Sequence, residues 1–96
     1  MVVVWSKRAR AALRKVHEYI AQESPKNAAR VINEIIDTTL ELPENPEKYP
    51  PDKYKKENDG KWRALEMYHY RVSYRIMPAE IRIVRLRHTS RTPLTY

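Results

Sequence analysis

The spacing of hydrophobic residues changes along the chain, and each change marks an element. Val2, Val3, Val4 and Trp5 form a short apolar run, β-branched and aromatic, that predicts a buried strand. Ser6 then offers an N-cap. Ala9, Ala12, Leu13, Val16, Tyr19 and Ile20 recur at helical spacing, so residues 7–22 are predicted to form an amphipathic helix. Ser24–Pro25 starts a second helix, with serine as cap and proline at the first helical position, where its missing N–H costs no hydrogen bond. Ala28, Val31, Ile32, Ile35, Ile36, Thr39 and Leu40 mark its apolar face over 25–42, and Pro43 ends the pattern. So short a link folds the two helices back as an antiparallel hairpin, whose shared apolar stripe needs a sheet to cover.

From Lys61 onward the period becomes two. Strands are predicted near 61–67, 69–77 and 80–88, with Met77–Pro78–Ala79–Glu80 as a turn. In the middle strand Tyr68, Tyr70, Val72, Tyr74 and Ile76 alternate with His69, Arg71, Ser73 and Arg75, so one face is aromatic and aliphatic and the other cationic. In the last strand Ile83 and Val84 are adjacent. Either that strand is buried on both faces or it carries a bulge that re-aims Arg85 and Arg87. Residues 43–60 hold Pro43, Pro46, Pro50 and Pro51 among charges and two tyrosines, and predict an ordered or semi-ordered loop. The fold class is α+β: one domain over 1–96, order β-α-α-β-β-β, with the helical hairpin on one face of an antiparallel sheet.

Charge sharpens this picture because it is clustered. The formal net charge is +7, and Lys61–Arg91 alone carries net +6, with Lys61 and seven arginines against Glu66 and Glu80. Residues 1–24 carry +3 and residues 25–60 carry −2. With a pI of 9.8, an Arg-rich sheet face suits phosphates or an acidic partner; the plain alternative is a solvated basic surface. The chain has no cysteine, so neither disulfides nor thiolate chemistry are available, which fits a reducing compartment. His17, His69 and His88 have no metal-ligand spacing, and Gly60 alone cannot build a Gly-rich phosphate loop, so no metal and no cofactor is expected. No run approaches a membrane span and no secretory signal is evident, which makes a cytoplasmic protein the expectation.

Several strings, in order, carry a resemblance. They are Trp5–Ser6, Tyr19–Ile20, Ser24–Pro25, Ala28–Ala29 and Leu42–Pro43, then Trp62–Arg63–Ala64–Leu65, Tyr70–Arg71–Val72–Ser73–Tyr74–Arg75 and Arg87–His88–Thr89–Ser90–Arg91. Together they span essentially the whole chain and resemble the RelE/ParE superfamily of bacterial type II toxins, whose members are also described as plasmid stabilisation proteins. The resemblance implies a toxin held silent by an acidic antitoxin. RelE-like members cleave messenger RNA on the ribosome, whereas ParE-like members block DNA gyrase. The long helical hairpin looks more like the ParE branch, and the C-terminal arginine and tyrosine positions look more like the RelE branch. On balance the C-terminal constellation favours the ribosome-dependent endoribonuclease, with the gyrase inhibitor as the alternative. A small basic nucleic-acid- or partner-binding module is the reading outside the toxin classes.

The resemblance also implies site residues. Cleavage by a neighbouring ribose hydroxyl needs a base, cations for the developing phosphorane charge and an acid for the leaving oxygen. Arg71 matches the arginine of the Tyr-Arg-hydrophobic-x-Tyr string. Arg91 matches a second functional arginine, Tyr96 falls near a C-terminal tyrosine, and His88 lies where some relatives use a histidine. These four are the candidate catalytic residues; Lys61, Arg63, Arg75, Arg85 and Arg87 are the candidate substrate contacts. RelE-like enzymes use lysines ahead of the strand, and Lys53, Lys55, Lys56 and Lys61 occupy that region without matching a catalytic position. Each residue has a blander reading. Arg71 and Arg75 could be exposed residues that bind the antitoxin, and His88 a strand-end residue bonded to backbone or tyrosine. Tyr96 could be a fraying end, and Tyr68, Tyr70 and Tyr74 core rather than base-stacking platforms.

Overall fold

The computed structural model describes residues 1–91 and 94–96. Its elements run β1 (Val2–Trp5), α1 (Lys7–Ala21), α2 (Pro25–Leu40), a 3₁₀ turn (Leu42–Glu44), then β2 (Trp62–Met67), β3 (Tyr70–Ile76) and β4 (Glu80–His88). Both helices start as the sequence predicts. The Ser6 hydroxyl accepts the Ala9 N–H at 3.1 Å, and the Ser24 hydroxyl accepts the Asn27 N–H at 3.1 Å. Pro25 sits in the first turn of α2, where no donor is missed. Pro43 falls in the 3₁₀ turn that ends the helical hairpin.

The four strands form one sheet in the order β1-β4-β3-β2. β2, β3 and β4 pair antiparallel in sequence, but β1 lies parallel to β4, so the sheet is mixed rather than wholly antiparallel. The helical hairpin is the crossover that a parallel pairing requires. Ala9, Val16, Val31 and Ile35 from the helices meet Val72, Tyr74, Ile81, Ile83 and Leu86 of the sheet in one core cluster. The helix-covered face is therefore the apolar one, as expected from the period-two pattern.

The adjacency of Ile83 and Val84 resolves as a bulge. Ser73 pairs with Arg85 while Tyr74 pairs with Ile83, leaving Val84 as the extra residue. Ile81 and Ile83 point into the core; without the bulge Arg85 and Arg87 would share their parity and be driven against the helices. One inserted residue instead puts both arginines on the open face and turns Leu86 inward.

Tyr68 departs from the expected aromatic stripe. Met67 pairs with Tyr70, so Tyr68 and His69 form a two-residue hairpin loop with φ of 54° and 65°. That geometry suits a primed turn, which normally selects Asn or Gly. Tyr68 is consequently exposed, with its hydroxyl on the Glu34 carboxylate of α2, while Tyr70 and Tyr74 are buried as expected.

The proline-rich loop is pinned from end to end. Tyr74 donates its buried hydroxyl to the Pro46 carbonyl at 2.7 Å. Asp52 N–H reaches the Trp62 carbonyl at 2.8 Å, and Pro51 bridges Arg63, so the loop covers the outer edge of β2. Asn58 completes the fold-back, accepting from Gly60 N–H at 2.8 Å and donating to the Trp62 carbonyl at 2.8 Å.

Candidate functional site

The open face of the sheet is built around a residue that the charge pattern did not single out. Asp52, rigidly presented after Pro50–Pro51, is 2% exposed. Its Oδ1 accepts from Arg71 Nη2 at 2.8 Å and from the Tyr54 N–H at 3.1 Å, while Oδ2 accepts the Tyr96 hydroxyl. Burial pushes this carboxyl up, but the hydrogen bonds from Tyr96, Arg71 and Tyr54 and the Arg71 charge outweigh it and hold the pKa below the usual value. Arg71 also donates Nη1 to Glu66 at 2.8 Å and lies 4.9 Å from the Tyr54 ring centre. Burial pulls its pKa down, and Asp52 and then Glu66 more than reverse this. Its Nε is buried and meets no acceptor among the described residues.

Tyr96 does not fray. Its N–H bonds the Tyr54 carbonyl at 3.0 Å, and its own carbonyl accepts from Lys56 N–H at 2.7 Å and Lys55 Nζ at 3.2 Å. The ring packs edge-on against Trp62 at 5.7 Å, and the Arg85 guanidinium lies 4.1 Å from its centre. Burial, followed by the bond to Asp52, raises its phenol pKa well above the ordinary value.

The remaining predicted residues divide among several roles. Arg63 is held by backbone: Nε donates to Gly60 at 3.0 Å, and Nη1 donates to Tyr49 at 2.8 Å and to Glu47 at 3.2 Å. It fastens the loop to β2. Arg75 is exposed over the Trp62 ring at 5.0 Å, and Lys61 is exposed at the head of β2. Arg87 pairs in register with Arg71 on the open face.

His88, by contrast, has the helix-side parity of Leu86. Its ring meets Tyr70 edge-on at 5.1 Å, and its Nδ1 accepts the Ser90 N–H at 3.1 Å beside the Ser90 hydroxyl at 2.7 Å. Arg91 is exposed, with its N–H on the His88 carbonyl at 3.1 Å. Arg71, His88, Arg91 and Tyr96 all border one cleft at the end of β4; Arg71 and Tyr96 are joined through the Asp52 side chain, and Arg91 and His88 through a backbone hydrogen bond. The cleft has about 60 Å³ of free space, room for only a few waters.

The one signal that could have pointed to Asp52 is the Pro-Pro-Asp-Lys-Tyr string. Two prolines stiffen the approach, and an aspartate two residues before a backbone donor readily forms an Asx turn. Arg71 thus meets internal counter-charge on the arginine face, flanked by Asp52 and Glu66.

The fold has a solved counterpart. A chain described as "Chromosomal ParDE TA system from P. aeruginosa" shares the fold with a TM-score of 0.72 and 21% identity, over 92% of this chain and 95% of that one. The two-helix, four-strand architecture is therefore one that this chain shares with that structure. Residues 3–93 match the family model for the ParE toxin of the type II toxin-antitoxin system, parDE, and the chain belongs to that family. Membership implies an antitoxin partner. No curated protein matches the chain. Among the described residues no helix is long and apolar enough to cross a membrane, and no group of three or more acidic, histidine or cysteine side chains is placed to hold a metal.

Proposed function

We propose that this protein is a toxin that acts by binding DNA gyrase, without chemistry of its own, and that an acidic antitoxin neutralises it. The observation that carries the reading is the tie between Arg71, Asp52 and Glu66. An arginine that must offset phosphorane charge needs donors free to face the phosphate, whereas both terminal nitrogens of Arg71 meet carboxylates at 2.8 Å. The tyrosine hydroxyl that would serve as acid is bound to the same aspartate, and His88 has the parity of the other face. A cleft of about 60 Å³ is also small for a nucleotide. What remains outward is a cationic and aromatic surface of Arg75, Trp62, Lys55, Arg85 and Tyr96, suited to docking on a protein. Family membership supports the same branch. The setting is cytoplasmic, where gyrase works.

The ribosome-dependent endoribonuclease remains the second reading. It is favoured by one observation, that Arg71, His88, Arg91 and Tyr96 border a common cleft. In that reading they are catalytic, and Lys61, Arg75, Arg85 and Arg87 contact mRNA. Two assays on the purified toxin separate the readings. In a supercoiling assay, gyrase should be inhibited in proportion to toxin; on translating ribosomes, primer extension should show intact message. Codon-phased mRNA cuts with unaffected supercoiling would overturn the gyrase reading.

A further inference from the structure

The open face of the sheet carries like charges where a sheet normally avoids them. Across the β3–β4 ladder Arg75 stands directly opposite Arg82, and Arg71 directly opposite Arg87. Like charges in opposed positions repel and destabilise a strand pair. Counter-charge from within the chain offsets part of this: Arg71 meets Asp52 and Glu66, and Arg82 meets Glu80 at 3.0 Å. Those bonds use the glutamates of β2 and β4, and no carboxylate pairs with Arg75 or Arg85 among the described residues. These two rest on rings instead, Arg75 at 5.0 Å from the Trp62 centre and Arg85 at 4.1 Å from the Tyr96 centre. A ring face orders a guanidinium through its charge and leaves the N–H donors for an acceptor from outside.

The same rings narrow the choice of anionic polymer. Proteins hold single-stranded nucleic acid largely by stacking its bases on aromatic faces. Here Lys55 also lies over both rings, at 4.8 Å from Trp62 and 5.5 Å from Tyr96, so each ring already meets two cations. A base could stack only by displacing one of them. The neighbouring cleft, with about 60 Å³ of free space, is too small to take an unstacked base. The face therefore offers cations to phosphates and no platform to bases. From Arg82 to Arg87 the cations run roughly 15 Å along β4, at about 3.3 Å of rise per residue, long enough to follow several phosphates of one duplex strand.

From this we infer that the open face of the sheet lies along the backbone of duplex DNA, with Arg75, Arg82 and Arg85 on its phosphates. The contact is independent of base sequence, because phosphates position a protein on a duplex and carry no code. The repulsion between Arg75 and Arg82 is then relieved in the complex, where a phosphate supplies the charge that the chain does not. The inference deepens the gyrase reading and rests on it for its setting: gyrase works on duplex DNA, so a toxin docked on that enzyme lies beside the polymer its arginines fit. Gyrase holding DNA, rather than gyrase alone, is the partner of this face.

The test titrates the purified full-length toxin into a short, fluorescently labelled DNA duplex and follows anisotropy. Binding should fall at about 1–100 μM near physiological salt, with log Kd rising by about 3 per decade of salt for three phosphate contacts. Scrambling the duplex sequence should change it by no more than about twofold. Arg75→Glu should weaken binding by about tenfold, and both it and Arg75→Gln should take about one unit from the salt slope. Arg75 is exposed, so both variants should melt like the wild type. Lys26→Glu, exposed on α2 behind the sheet, lowers the net charge as much as Arg75→Glu does and should stay within about twofold. Equal losses in Lys26→Glu and Arg75→Glu would mean attraction to overall charge and would overturn the inference. Tighter binding of single-stranded RNA, or of polyglutamate, than of the duplex would overturn it as well. Gyrase supercoiling is followed in parallel with wild-type toxin. Inhibited gyrase with no duplex binding removes this inference and leaves the gyrase reading standing. Duplex binding that depends on Arg75, with gyrase untouched, removes the target reading and leaves the DNA surface.

Discussion

Arg71 Nη2 lies 2.8 Å from Asp52 Oδ1, and the aspartate side chain is 1% exposed. The pair joins β3 to a loop 19 residues earlier in the chain, and the same carboxylate holds Tyr96. A charge so deeply buried is tolerable only because each of its oxygens is bonded. Removing the carboxylate should therefore be costly. Asp52→Ala leaves Arg71 with Glu66 alone and frees Tyr96, and should destabilise by about 3 kcal/mol, the range for breaking a buried pair. For a domain of this size the loss corresponds to a fall in Tm of roughly 10–20 °C, measurable by circular dichroism.

The same carboxyl makes stability depend on acid. Its folded pKa is depressed below the ordinary aspartate value, so the unfolded chain binds the proton first. The stabilisation is fully present above the unfolded pKa of about 4 and is lost as pH falls through the lower folded value. Urea midpoints should drop on going below about pH 4, and Asp52→Asn should flatten that dependence. An Asp52→Asn profile parallel to wild type would assign the acid sensitivity to other groups.

Three tyrosines should titrate late, and burial is the main cause for Tyr70. Burial pushes the Tyr74 phenol up to about 12, and Tyr96 is raised in the same sense. A raised folded pKa contributes stability that is complete below the unfolded value of about 10 and disappears as pH climbs toward the folded one. Near-ultraviolet absorbance should therefore show part of the tyrosine signal lagging, followed by release as the protein unfolds. All seven tyrosines ionising together near pH 10 would contradict this.

The hairpin tip stores strain. His69 holds φ of 65° with a full side chain, so His69→Gly should stabilise the protein by up to about 1 kcal/mol. Equilibrium urea denaturation resolves an effect of that size. A loss of stability would mean that the His69 ring, 6.3 Å from His88, contributes more than its backbone costs.

In the core, Ile35 is fully buried between the hairpin and the sheet. Ile35→Ala should cost about 3 kcal/mol through lost burial and the cavity left behind. Ile35→Asp should prevent folding, since no partner for a carboxylate lies there. Soluble, cooperatively melting Ile35→Asp protein would show that α2 is not held as described.

Much of this molecule was legible from local pattern alone. Ser6 and Ser24 announced both helices because a cap is a contact over three residues, and the period of two announced β2, β3 and β4 because side-chain direction is a property of a single strand. The family, too, was carried by short ordered strings. The bulge was legible only as an alternative. Whether Ile83–Val84 kinks a strand or buries it twice depends on what covers the second face, which the strand's own residues do not encode.

What the tertiary structure alone decided lies in pairings between distant residues. Alternation placed Arg71 on the open face, but only the folded loop brings Asp52 to it as an ion-pair partner. The resemblance set His88 beside Arg71, and the extra residue at Val84 gives it the parity of Leu86. Tyr68 read as core by period, yet hairpin register put it in the turn. Periodicity reports which way a side chain points along its own element; which charge, ring or carbonyl it meets there is set by contacts that only the closed chain creates.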